Sequence, residues 1–166
     1  MTRPEPVQVI KQRRDAALRA LVDGVPYIKF IGIGFDRRGD ELTGVMHYDP
    51  KLIGNPMLPA LHGGVTAAFL EVTAIVTLSW AMIWDDLEGG RIEGDLTPET
   101  LPRLPKTIDF TVDYLRTGLP RDAYARARLN RAGRRYASVH VEAWQDNRER
   151  LFAQGTGHFL MPSRDG

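Results

Sequence analysis

The sequence predicts an α+β domain in which a curled antiparallel sheet of about six strands wraps one long central helix, with another helix at the N-terminus. Two observations carry that expectation. Leu61 to Trp84 is a run of 24 residues that is apolar on nearly every side, and a helix apolar all round must be buried all round. Six further stretches carry β patterning, and those after the helix are separated mostly by short gaps. A sheet curled around the helix is the economical way to pack those pieces.

In chain order, residues 7–23 form the first helix. Ile10, Ala17 and Leu21 fall near one face, and Gly24 and Pro26 end it. Phe30–Phe35 and Glu41–Tyr48 are β-rich and flank Asp36-Arg37-Arg38-Gly39-Asp40, which reads as a hairpin turn. Asp49 to Ala60 holds Pro50, Gly54, Asn55, Pro56 and Pro59 and reads as a loop. The central helix follows, with Val65, Ala68, Phe69, Val72, Ile75 and Val76 at helical spacing and an almost equally apolar opposite face.

Residues 85–105 form a loop, acidic and containing three Gly and three Pro, long enough to look inserted. From Lys106, Ile108, Phe110, Val112 and Tyr114 alternate with Thr107, Asp109, Thr111 and Asp113. Ala123–Asn130, Arg135–Trp144 and Leu151–Met161 follow as three more strands, and their short separations make them antiparallel neighbours. Residues 1–166 read as one domain without internal repeats. A curled sheet has open edges, and open edges invite a second copy.

Composition narrows the function. The 166 residues contain 22 Lys+Arg against 21 Asp+Glu and no cysteine. The near-zero balance argues against a global nucleic-acid surface, and the missing thiols exclude disulfides, thiolate zinc sites and a cysteine nucleophile. The proline-broken, charged start Met1-Thr2-Arg3-Pro4-Glu5-Pro6 is unlike a secretory signal, so a cytoplasmic protein is expected. Glu71 would sit near mid-bilayer if the apolar run spanned a membrane, which favours a buried helix and no membrane partner. The four histidines, His47, His62, His140 and His158, lack metal-ligand spacing, and no metal is expected.

Two features carry chemistry. Glu71 is the sole carboxylate between Asp49 and Asp85, among Phe69, Leu70, Val72 and Ala74. A buried carboxylate is costly unless paired or used, so Glu71 is either a satisfied core or interface residue or a reacting group. His62-Gly63-Gly64 opens the helix. The glycines either allow close backbone approach, or present free N–H groups at the positive helix end to an oxygen that becomes negative during reaction. His62 is a candidate base, and more readily a residue that holds the loop.

Leu61-His62-Gly63-Gly64-Val65-Thr66-Ala67-Ala68-Phe69-Leu70-Glu71 resembles the active-site helix of hotdog-fold acyl-CoA thioesterases of the phenylacetate-pathway branch. Thr107–Arg116 is similar to that family's next strand, and Ala132–Ala143 to its following hairpin. The likeness covers about Gly32 to Leu160. It implies a curled sheet around the helix, strands paired across a homodimer or dimer of dimers, an acyl-CoA substrate with no separate cofactor, and thioester hydrolysis using Glu71. Many relatives place Asn or Gln six residues before the His; here that residue is Pro56, with Asn55 adjacent as the substitute.

Geometry adds a constraint of its own. Gly63 and Glu71 are eight residues apart, about 12 Å along a helix. Oxyanion donor and base must meet at one carbonyl, so the site pairs Gly63 of one subunit with Glu71 of another. Arg116 to Arg150 contains nine Arg against four acids. These form a solvated face, or some bind the phosphates of coenzyme A; Arg131, Gly133, Arg134, Arg135 and Arg116 are the candidates. A non-catalytic acyl-CoA-binding protein, favoured by Pro56, and a dehydratase are the competing functions.

Overall fold

The computed structural model describes residues 3–92 and 95–163. Met1 and Thr2, Glu93 and Gly94 of the long connection, and Arg164 to Gly166 lie outside the described residues. Helix α1 spans Val7–Asp23, and the short helix α2 spans Pro26–Ile31. The expected strand start at Phe30 therefore gives way to helix. Pro26 occupies the first turn of α2, where its fixed φ suits a helix. Gly32 closes the helix at φ 83°, a left-handed conformation that favours glycine.

Strands β1 (Ile33–Arg38) and β2 (Glu41–Met46) form the expected hairpin around Gly39, which has φ 64°. The stretch 49–60, expected as loop, contains a one-turn 3₁₀ segment and a small ladder of β3 (Ile53–Asn55) with β4 (Ala60–Leu61). Helix α3 runs from Gly63 to Glu88. Strands β5 (Lys106–Tyr114), β6 (Ala123–Ala132), β7 (Tyr136–Trp144) and β8 (Ala153–Leu160) complete the chain. The main sheet has six antiparallel strands in the order β1-β2-β6-β7-β8-β5.

That sheet corrects one expectation. It is open, neither closed nor curled around α3: β1 and β5 are its two edges and do not pair. Rows of side chains from the sheet, including Ala125, Val139, Val141, Ala143, Ala153 and Phe159, are fully buried against one side of α3. Much of the opposite side is covered by other parts of the chain. Leu18 and Leu21 of α1 and Leu101 of the connection join the same core as Leu70, Val76 and Trp80 of α3. A helix apolar all round needs cover all round, but the cover need not come from the sheet. Each fully buried Leu or Phe contributes about 1.5–3 kcal/mol.

Arg14 fastens α1 to the far end of α3. Its Nε and Nη2 donate to the two carboxylate oxygens of Glu88, both at 2.8 Å, and its guanidinium lies 4.9 Å from the centre of the Trp84 ring. A carboxylate at a helix C-terminus meets the negative end of the dipole. The fork offsets that, and its hydrogen bonds hold the Glu88 carboxyl below the usual carboxylate range. After Glu88 the chain returns alongside α1, with Pro98 against Gly24, and enters β5. Among the described residues α3 is the one helix long and apolar enough to cross a membrane, and most of its apolar window is buried in the fold.

Candidate functional site

At the start of α3 the backbone passes through two glycines, and His62 folds back over them. His62 is the N-cap, and the Gly64 N–H donates to its Nδ1 at 2.8 Å. That bond leaves the ring proton on Nε2. His62 thus caps the helix, and Gly64 has no N–H to spare. The cap depends on missing side chains on both sides of the ring. A Cβ on Gly64 would lie 2.9 Å from Nδ1, and a Cβ on Gly54, in β3, would lie 2.6 Å from the His62 Cα. Close approach is therefore what Gly54 and Gly64 provide. Gly63 is different: a Cβ there would meet nothing nearer than the Tyr114 ring and hydroxyl, at 3.5 Å. Its N–H has no acceptor among the described residues, and its carbonyl accepts a 2.8 Å bond from the Tyr114 hydroxyl.

Eight residues on, Glu71 is half-buried, not buried as its apolar neighbours suggest. Strand β5, the sheet edge, lies against it. The Thr107 hydroxyl donates to Glu71 Oε1 at 2.7 Å, leaving Oε2 without a protein partner among the described residues. Simple alternation puts Thr107 on the face opposite Phe110 and Tyr114. A bulge changes this: Thr107 pairs with Phe159 and Asp109 with His158, so Ile108 has no opposite number and stands 54% exposed. One extra residue shifts the pleat by one, and Thr107 joins Tyr114 in facing α3. Strand β5 thus contacts both candidate groups, Gly63 near its end and Glu71 near its start.

Asn55 is exposed, and its Oδ1 accepts from the Met57 N–H at 3.1 Å, holding the turn after β3. It bonds neither His62 nor Glu71. Two concavities, of about 240 Å³ between β2 and β6 around Thr77 and about 270 Å³ between the end of α1 and residues 98–104, both lie away from Glu71. In the single chain the Glu71 carboxylate faces an open surface beside an unpaired strand edge.

The arginines separate into two groups. Arg121 pairs with Asp146 at 2.7 Å, Arg126 pairs with Glu41 at 2.6 Å, and Arg148 lies over the Trp144 ring. These are satisfied locally. Arg131, Arg134 and Arg135 are exposed and make no ion pair among the described residues. They surround the β6–β7 turn, closed by the Gly133 N–H donating to the Tyr136 carbonyl at 2.9 Å. Register places this turn at the Glu71 end of the sheet, since Thr107, Phe159, Ala137 and Ala132 lie in one row across it. At about 4.8 Å per strand, the row spans about 14 Å. Arg116, two residues past Tyr114, is at the other end, so the single chain does not unite it with the hairpin arginines.

Residues 58–152, more than half of the chain, match the model of the thioesterase superfamily. The chain belongs to that superfamily. Its matched segment takes in α3, β5, β6 and β7, the elements that carry Gly63, Glu71, Thr107 and the basic hairpin. The medium/long-chain acyl-CoA thioesterase YigI of Escherichia coli K12 is 31% identical over 140 residues, covering 82% of this chain and 86% of the relative. A crystal structure from Shewanella oneidensis, described as related to the superfamily, is 27% identical with TM-score 0.66 and covers 95% of this chain and 99% of its own. A Bacillus halodurans protein crystallised with CoA shares the fold at 21% identity, TM-score 0.62, with 98% of each chain covered. The open six-stranded sheet with its long central helix is thus a hotdog-type thioesterase fold.

Three residues that shape this candidate site escape a reading of the sequence: Thr107, Tyr114 and Gly54. Alternation sets Thr107 on the face opposite Tyr114, and only the bulge brings it to the side of α3. Gly54 looked like turn punctuation. Tyr114 read as one more apolar strand residue, although a Tyr hydroxyl at such a position usually has a hydrogen-bond partner.

Proposed function

We propose that the protein is an acyl-CoA thioesterase in which Glu71 is the general base and the Gly63 N–H stabilises the oxyanion. The observation that carries this reading is the Thr107–Glu71 hydrogen bond. It holds a half-buried carboxylate by one oxygen on an open strand edge and leaves the other for water. Glu71 takes a proton from that water as its oxygen adds to the thioester carbonyl. The resulting oxyanion meets the N–H of Gly63 at the positive end of α3. Collapse breaks the C–S bond, and the coenzyme thiolate leaves and takes up a proton. A nucleophilic Glu71 passing through a mixed anhydride is the alternative route.

Gly63 and Glu71 lie on one helix, about 12 Å apart along its axis. The reading therefore includes a homodimer that joins Gly63 of one protomer to Glu71 of the other. Antiparallel pairing of two β5 edges has that effect, because it sets the Tyr114 end of one strand beside the Thr107 end of its partner. The same pairing encloses a carboxylate that one protomer leaves open. It also brings Arg116 toward the partner's basic hairpin, where Arg131, Arg134 and Arg135 around Gly133 would hold the coenzyme phosphates.

The YigI relatives are medium/long-chain enzymes. A fatty acyl group is therefore the first substrate class to try, ahead of the aryl groups suggested by the phenylacetate-branch likeness. The test is to incubate the protein with CoA thioesters of increasing chain length and measure free thiol. Thiol release at catalytic rates supports hydrolysis. Tight binding without release would favour the second reading, a non-catalytic acyl-CoA-binding protein, for which the engaged Asn55 side chain speaks.

A further inference from the structure

We propose that Tyr114 is a positioning residue for the Gly63 amide, holding the glycine turn at the start of α3 from the neighbouring strand. This inference rests on the thioesterase reading for its kinetic consequence, but the restraint itself is independent of that reading. Gly63 and Gly64 are adjacent, and glycine has more backbone freedom than any other residue. A donor on such a turn is effective only if its direction is fixed before the reaction. Every peptide plane around Gly63 is tied. The His62 carbonyl accepts from the Thr66 N–H at 3.1 Å. The Gly63–Gly64 plane is gripped at both ends, its carbonyl by the Tyr114 hydroxyl at 2.8 Å and its N–H by His62 Nδ1 at 2.8 Å.

Two of these three ties are local, made within residues 62–66. They preserve the shape of the turn but not its place. The His62 N–H is held by the Leu52 carbonyl at 2.8 Å, but at Gly63 itself only Tyr114, 51 residues away in sequence, connects the turn to another element. Its ring also lies over Gly63, with Cε1, Cζ and the hydroxyl each 3.5 Å from where a Cβ would be. Tyr114 and Thr107 share the face of β5 turned to α3. One strand thereby sets the position of both the amide and the carboxylate, and with β5 paired across two protomers their spacing at each shared site follows from strand register.

The test is Tyr114→Phe, which keeps the ring and removes only the hydroxyl. In wild-type protein the Gly64 amide should exchange slowly for a first-turn amide. The variant should exchange it about tenfold faster, with the middle of α3 unchanged. Against the best acyl-CoA substrate, kcat should fall about tenfold with KM within twofold, the pattern of an interaction felt in the transition state. Unchanged exchange and a kcat within twofold of wild type would overturn the proposal. Faster exchange throughout α3, with kcat and KM altered together, would also overturn it, by showing a general structural role. If wild-type protein hydrolyses no acyl-CoA, the thioesterase reading fails, and the Gly64 exchange rate still decides whether Tyr114 restrains the turn.

Discussion

The two ends of β5 meet α3 in opposite states of completion. At the Tyr114 end, His62, Gly63 and Gly64 are bonded to one another, to Thr66 and to Tyr114, and Gly54 packs against His62. Apart from the Gly63 N–H, which has no acceptor among the described residues, one chain completes that end. At the Thr107 end, Glu71 has a single side-chain bond, Ile108 bulges into solvent, and Arg131, Arg134 and Arg135 stand without ion partners among the described residues. A finished end can be tested by stability. The unfinished end exposes polar groups that the chain leaves to solvent or to a bound molecule, so its test is activity.

The largest expected effect belongs to the unfinished end. Glu71→Gln should lower turnover of a good acyl-CoA by at least about a hundredfold, the lower range for acid–base groups, and leave the melting temperature nearly unchanged because the side chain is close to isosteric. Near wild-type turnover would remove Glu71 from the mechanism. Mixing this variant with Gly63→Pro, which lacks the proposed donor, should restore part of the activity in the mixed dimers, since one of their two sites is then intact.

Next in size is Thr107→Val, which keeps the β-branched shape and removes the hydroxyl. A hydrogen bond to a charged group contributes about 1.5–3 kcal/mol, so kcat should fall about tenfold or more, and Thr107→Ser should restore most of it. Equal losses in the Val and Ser variants would show that shape, and not the donor, is what matters.

The finished end predicts a contrast in stability. Gly64→Ala places a Cβ against His62 Nδ1 and should displace the cap, costing about 0.5–2 kcal/mol in denaturant unfolding. Gly63→Ala meets only ordinary contact with Tyr114 and gains helix propensity, up to about 1 kcal/mol, so it should be neutral or stabilising. The two glycines responding alike would erase the distinction drawn between them.

The smallest effect is expected at the basic hairpin. Arg131→Ala, Arg134→Ala and Arg135→Ala should each raise KM severalfold with kcat little changed, because a phosphate contact is the same in ground and transition states. The increase should vanish with acyl-pantetheine thioesters, which lack the nucleotide phosphates. An equal increase with both substrates would make these arginines a solvated face.

The sequence by itself determined what depends on local pattern. The all-round apolar run announces α3, strand patterning and turn residues place β5 to β8 to within two residues at each end, and a lone carboxylate nine residues after His62 marks the candidate site. Those signals are short-range, governed by helical and strand periodicity. What covers the far side of α3, which glycines make room for His62, and how Thr107 and Tyr114 come to share a face were decided only in the tertiary structure. The cover is shared among α1, the connection and the sheet, and volume can be filled from several directions. The single-residue bulge at Ile108 inverts the facing of Thr107 with no composition to announce it. Gly54 meets His62, and Tyr114 meets Gly63, because β3 and β5 are each brought beside the first turn of α3, and pairwise distance between remote segments is a property no local pattern encodes.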